Sequence, residues 1–246
     1  MLKINGLFAG YGDRVAIKNI SVAFQKGKLI SVIGPNGSGK STLLKAISGI
    51  IPIMNGEVVL DDMSISRLPS KERAQKIAYL PQGKNTPDMT VGRMVLHGRF
   101  PHIGYPRQYS KRDRAIALEA MRRTGVEALA DTPLQELSGG MRQNAYIAMA
   151  LAQDTDYILL DEPTTFLDIK NQLGLIKNLR QLTDGGKGIV AVMHDLPLAF
   201  TYSDEIIVIN EGCLAACGTP QEVRSSGIIS DIFGVQLKSD FSYNLK

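Results

Sequence analysis

The chain has 246 residues, 44% of them hydrophobic and 21% charged, so it can bury a sizeable core in one large α/β domain or a core with an inserted subdomain. A formal net charge of +4 and a pI near 9.0 are mildly basic, which suits nucleotide phosphates or an anionic membrane surface. No dense Lys/Arg run with interleaved aromatics appears, so nucleic acid is not an expected partner.

The N-terminal stretch Met1 to Gly6 carries no apolar segment of the signal-peptide kind. The chain to about Asp62 reads as β-rich. Within it, the apolar run Leu29 to Ile33 predicts a buried strand, and Thr42 to Ile47 predicts a helix. Between them stands Gly34-Pro35-Asn36-Gly37-Ser38-Gly39-Lys40-Ser41, which fits the pattern G-x-x-x-x-G-K-[ST]. Glycines let backbone N–H groups point inward without Cβ clashes, and a helix N-terminus adds partial positive charge, so strand, loop and helix together make a phosphate cradle. Lys40 is placed to reach the β- and γ-phosphates and Ser41 to ligate Mg²⁺. The alternative is a Gly/Pro/Asn/Ser-rich surface turn.

Further along, Val58 to Leu60 predicts a short strand after an Asn55-Gly56 turn, and Ile77 to Leu80 another, stopped by Pro81. From Thr90 to about Ala152 the pattern is helical, broken once by the Gly- and Pro-rich stretch His97 to Pro106, and this segment is expected to be an α-helical insertion. The longest apolar run, Ala145 to Ala152, is far too short to span a membrane, so the chain is expected to be soluble by itself. Tyr157 to Leu160 and Gly188 to Met193 suit buried parallel strands. Between them Ile169, Gln172, Leu175, Ile176, Leu179 and Leu182 mark one helix face. Cys213 and Cys217 share a strand face too far apart for an unstrained disulfide, and are expected to be two buried thiols in a reducing cytosol. His97, His102 and His194 are too scattered for a metal cluster.

A phosphate loop needs a metal carboxylate and a group that activates water. The strand Tyr157 to Leu160 ends in Asp161-Glu162. Asp161, at a strand tip, suits Mg²⁺, and Glu162, facing the other way, suits polarising the attacking water. A solvated acidic pair is the alternative. His194 ends another apolar strand and suits a hydrogen bond to the γ-phosphate and the water. Leu137-Ser138-Gly139-Gly140-Met141-Arg142-Gln143 opens a helix, with Ser138 as N-cap and two glycines exposing the first amides. This is either a second anion site or a plain helix cap.

Together these residues resemble the ATP-binding cassette family over nearly the whole chain. Residues 34–41 match its Walker A loop, Gln82 its Q-loop, Leu137 to Gln143 its signature motif, and residues 157–162 its Walker B. Leu167-Asp168 match its D-loop, His194 its switch histidine, and Tyr11 the aromatic that stacks on adenine. The resemblance implies a P-loop NTPase fold, a RecA-like core with an antiparallel β subdomain (1–86 and 153–246) plus an inserted α-helical signature subdomain (87–152). It implies ATP and Mg²⁺ as ligands, with Tyr11, Gly34 to Thr42 and Ser138, Gly139 and Gly140 on the nucleotide. It places Ser41, Gln82 and Asp161 on the metal, and Lys40, Gln82, Glu162 and His194 in catalysis. It also implies a dimer, each ATP held between the Walker A loop of one subunit and Ser138-Gly139-Gly140 of the other.

A narrower likeness lies in Leu96-His97-Gly98-Arg99-Phe100-Pro101-His102, in Ala152-Gln153-Asp154-Thr155, in Pro163 to Asp168 and in Ile232-Phe233-Gly234-Val235, all similar to importers of iron chelates, haem and cobalamin. It implies permease subunits, a periplasmic or lipoprotein binding protein, and a peripheral place on the cytoplasmic membrane face. A cassette of another transport system, or a soluble one acting on nucleic acid or ribosomes, is the rival. Two departures stand out. Met141 occupies a position usually held by Gln, which removes the reach back to the cap's own N–H, and Pro197 stands where relatives often have Asn.

Overall fold

The computed structural model describes the chain apart from Lys84, Asn85, Phe166, Ser239, Asp240, Ser242, Lys246 and the side chains of 243–245. Phe166, part of the narrower likeness, thus lies outside the described residues. In chain order the first elements are β1 (Leu2–Tyr11), β2 (Arg14–Phe24), β3 (Leu29–Ile33), α1 (Lys40–Ile47), β4 (Ile53–Leu60) and β5 (Met63–Ser64). Next come α2 (Ser70–Ala74), β6 (Ile77–Leu80), α3 (Val91–His97), α4 (Lys111–Arg123), α5 (Gly139–Ala152), β7 (Tyr157–Leu160), α6 (Ile169–Asp184) and β8 (Gly188–Val192). The chain continues through α7 (Leu196–Tyr202), β9 (Glu205–Asn210), β10 (Cys213–Gly218), α8 (Pro220–Ser225), α9 (Ile228–Phe233), β11 (Val235–Leu237) and β12 (Tyr243–Leu245).

Two sheets carry the core. A six-stranded sheet has the order β10-β9-β3-β8-β7-β6, parallel from β9 to β6. An antiparallel sheet has the order β2-β1-β4-β5. The central strands are fully buried, which is why they read as continuous apolar runs. Their side chains alternate: Leu29, Ile158 and Ile189 pack on the helical side, and Ile30, Leu159 and Val190 pack toward α1 and the antiparallel sheet. Tyr157 joins the two sheets. Its hydroxyl accepts from Leu2 N (3.0 Å) and donates to the Phe24 carbonyl (2.9 Å), and the side chain is fully buried. Helices α3, α4 and α5, all between β6 and β7 in sequence, share a buried cluster with the sheet's helical side.

Three expectations need correction. Asn55 and Gly56 form a kink inside β4 rather than a turn before it: Gly56 sits at φ +79°, and a Cβ there would meet the Gly6 carbonyl oxygen at 2.1 Å. Cys213 and Cys217 do lie on one face of β10, but that face is exposed, because β10 is a sheet edge whose other face alone packs inward. Ile169 is exposed at the start of α6, whose buried stripe begins at Leu175.

Candidate active site: the C-terminal ends of β3, β7 and β8

The chain leaves β3 through Gly34, where a Cβ would lie 2.1 Å from the Ile209 carbonyl oxygen, so only glycine passes under β9. Gly39, at φ +104°, turns the loop into α1. Lys40 is almost fully buried, and its Nζ donates to the carbonyls of Gly34 (2.8 Å) and Pro35 (2.7 Å), bracing its own loop. Burial pushes its pKa down, opposed by the charges of Glu162 and Asp161. Ser38 Oγ is buried in the same loop with no protein partner among the described residues, which suits an oxygen acceptor from a ligand. Residues Asn36, Gly37 and Gly39 to Thr42 line a hollow of about 170 Å³ together with Glu162.

Strand β7 delivers the acids. Asp161 is buried, and its N–H donates to the Leu80 carbonyl (2.9 Å), extending the β6–β7 ladder by one step. Ser41 Oγ donates to Asp161 Oδ1 (2.7 Å), and Tyr79 OH donates to Oδ2 (3.0 Å). Burial raises the Tyr79 phenol pKa above its usual range, and the Asp161 charge adds to this, so the phenol keeps its proton and donates. The Ser41 and Asp161 oxygens form a hard donor set that fits Mg²⁺.

Glu162 stands at φ +52°, a left-handed conformation unusual for a non-glycine residue. Its carboxylate takes other partners than the Ser41 and Tyr79 that hold Asp161. His194 Nε2 approaches Oε1 at 2.6 Å, Gln82 Nε2 donates to Oε2, and Thr165 Oγ1 donates to Oε2 at 3.2 Å. Three groups, from the ends of β6 and β8 and from the turn that follows β7, thus share one carboxylate.

The other expected residues stand apart. Tyr11, half exposed at the end of β1, receives Lys45 Nζ at 3.4 Å from its hydroxyl. Ser138 caps α5, accepting from Met141 N at 3.3 Å, and Gly140 packs so close to α6 that a Cβ would meet Asn171 Oδ1 at 2.6 Å. Gly139 faces a cleft of about 300 Å³ shared with Gln82, Asp161 and Glu162, whose wall includes none of residues 34–41. Pro197 sits in the first turn of α7 behind the Asp195 cap, as its fixed φ allows.

Two residues were not legible as site components. Tyr79 and Thr165 reach the acids only through strand pairing and a turn; Tyr79 belongs to no motif, and the stretch Pro163 to Asp168 that contains Thr165 gives it no site role in sequence. The stretch Gly98 to His102 has a structural reading. A Cβ on Gly98 would meet the Met149 carbonyl at 2.1 Å. Arg99, 5% exposed, donates to the Ala152 carbonyl (2.8 Å) at the C-terminus of α5 and pairs with Asp113 (3.0 Å). His102 Nε2 lies 2.8 Å from the Gln153 carbonyl, and Gln153 Nε2 donates to the carbonyls of Ala74 (2.5 Å) and Ile77 (3.2 Å).

A strand–loop–helix cradle with a carboxylate pair two strands away in one parallel sheet is the architecture of a P-loop nucleoside triphosphatase. The chain belongs to the ABC transporter family, whose model matches residues 17–165. It is 40% identical over 231 residues to the probable siderophore transport system ATP-binding protein YusV of Bacillus subtilis, covering 93% of this chain and 84% of that one. It is 41% identical to the ferric enterobactin transport ATP-binding protein FepC of Escherichia coli, covering 94% and 86%. Among solved structures it resembles the ATP-binding cassette MJ0796 in a dimeric post-hydrolysis state bound to ADP and Pi, with TM-score 0.77 and 30% identity over 89% of this chain and 99% of that chain. The protein is an ATP-binding, ATP-hydrolysing cassette. Among the described residues no helix is long and apolar enough to cross a membrane.

Proposed function

We propose that this chain powers the uptake of a ferric siderophore, or a related iron, haem or cobalamin chelate, through a separate permease served by a periplasmic or lipoprotein binding protein. The likeness to siderophore ATP-binding proteins supports the cargo class. The observation that carries the hydrolytic reading is the gathering of Gln82, Thr165 and His194 on the Glu162 carboxylate beside the phosphate loop.

In this reading the amides of Gly34 to Thr42 and the Lys40 ammonium bind the phosphates, and Tyr11 stacks on adenine. Ser41, Asp161 and Gln82 would hold Mg²⁺, which would supply charge screening for the phosphates when bound. Glu162 accepts the proton of the attacking water, and His194 and Gln82 position that water and the γ-phosphate. Ser138, Gly139 and Gly140 bind the nucleotide of a second copy, so the working unit is a homodimer. Residues 1–86 and 153–246 form the nucleotide-binding core and 87–152 the signature subdomain. The dimer sits at the cytoplasmic membrane face on its permease and does not engage nucleic acid.

Uptake of a radiolabelled ferric siderophore by cells lacking this chain tests the reading. Loss of uptake, restored by the wild-type chain but not by Glu162→Gln, supports it. Unchanged uptake of ferric siderophores, haem and cobalamin alike rejects the cargo class.

A further inference from the structure

We propose that Tyr79 is a positioning residue for the metal-binding carboxylate. By donating its hydroxyl to one oxygen of Asp161, it holds the other toward Ser41. The inference rests on the reading of Ser41 and Asp161 as Mg²⁺ residues.

Asp161 offers two equivalent oxygens, and a carboxylate held through only one of them swivels about its terminal torsion. Here the two oxygens are claimed by donors from different elements, Ser41 from α1 and Tyr79 from β6. The backbone supplies the register. β6 and β7 pair Tyr79 with Leu159 and Leu80 with Leu160, and the Asp161 N–H then bonds the Leu80 carbonyl. That extra rung brings the carboxylate within reach of the phenol. The Tyr79 ring packs against the apolar cluster formed by α1 and the antiparallel sheet, so its place does not depend on the hydroxyl. Ring packing and hydroxyl donation are therefore separable, and Tyr79→Phe removes one oxygen while leaving the rest. Outer partners of this kind tune metal affinity by orienting the ligand.

The test is a Mg²⁺ titration of the full-length protein with a fluorescent ATP analogue, reading the Mg²⁺ concentration that gives half of the metal-dependent signal. Tyr79→Phe is expected to raise that midpoint about tenfold, with metal-free nucleotide binding unchanged. An unmoved midpoint overturns the inference. So does an equal loss of metal-free binding, which assigns Tyr79 to the shape of the cleft. Asp161→Asn is run in parallel and is expected to erase the metal-dependent signal. If it leaves that signal intact, the metal reading of Asp161 fails, and the role of Tyr79 fails with it. If it erases the signal while Tyr79→Phe leaves the midpoint unmoved, only the role of Tyr79 fails.

Discussion

Glu162 Oε1 and His194 Nε2 stand 2.6 Å apart at the C-terminal ends of two hydrogen-bonded parallel strands. The contact needs no long-range loop. β7 and β8 pair Leu160 with Ala191, so residues just past each strand end meet at the same sheet edge. The left-handed turn at Glu162 completes the arrangement by directing adjacent acids to different partners.

Glu162→Gln keeps the side chain's length and removes its charge. ATP binding should survive, while phosphate release falls by about 10²–10⁴-fold. Size-exclusion chromatography with ATP should show the variant retained as a dimer. Near wild-type phosphate release would remove Glu162 from the base role.

Lys40 braces its own loop and carries the charge expected to meet phosphate. Lys40→Ala should weaken ATP binding by at least about tenfold, the effect of losing one charge-assisted hydrogen bond. Calorimetric titration with ATP measures it, and unchanged affinity would discredit the phosphate-loop assignment.

Helices α4 and α8 start with complete capping boxes, Ser110 with Asp113 and Thr219 with Glu222. Helix α5 has only half of one, because Met141 has no acceptor to return to the Ser138 N–H. Met141→Gln should therefore stabilise the protein by about 0.5–1 kcal/mol. For a chain of this size that is a rise of about 1–4 °C in melting temperature. A fall in melting temperature would contradict the argument.

Asp113 is held at about 2, below its ordinary 3.8, first by the Ser110 hydroxyl, then by the Ser110 N–H and by Arg99. A carboxyl whose pKa is lower in the folded state than in the unfolded one contributes stability above its unfolded pKa. That contribution disappears as pH falls from about 4 to about 2. Denaturant midpoints measured across this window should drop less steeply for Asp113→Asn than for wild type. Arg99→Ala removes one of the partners of the half-buried carboxylate and should cost about 1.5–3 kcal/mol at neutral pH, read by the same denaturation curves.

The strand–loop–helix around Lys40, the acids at the end of β7 and the helices between β6 and β7 were legible because each is local. A glycine pattern, an apolar run ending in Asp-Glu, and a change of periodicity all lie within short windows. What escaped depends on pairing between distant segments. Gly56 reads as a turn until β1 is laid beside it. Cys213 and Cys217 read as core until β10 is found at a sheet edge. Tyr79 has no significance in sequence until β6 and β7 fall into register. The Arg99–Asp113 pair joins a loop to the capping residue of a following helix, a geometry that spacing alone does not reveal.

The polar bonds around Ala152 and Gln153 fasten one end of α5 to α2 and β6. The opposite end, where Ser138 sits, has no such fastening to the six-stranded sheet among the described residues. Fourteen residues at helical rise make a rod about 21 Å long. With one end pinned, every degree of tilt at the pivot sweeps the serine tip through about 0.4 Å. Small adjustments near Gln153 are therefore geared up at the tip, whose Gly139 faces the cleft that holds Gln82 and Glu162.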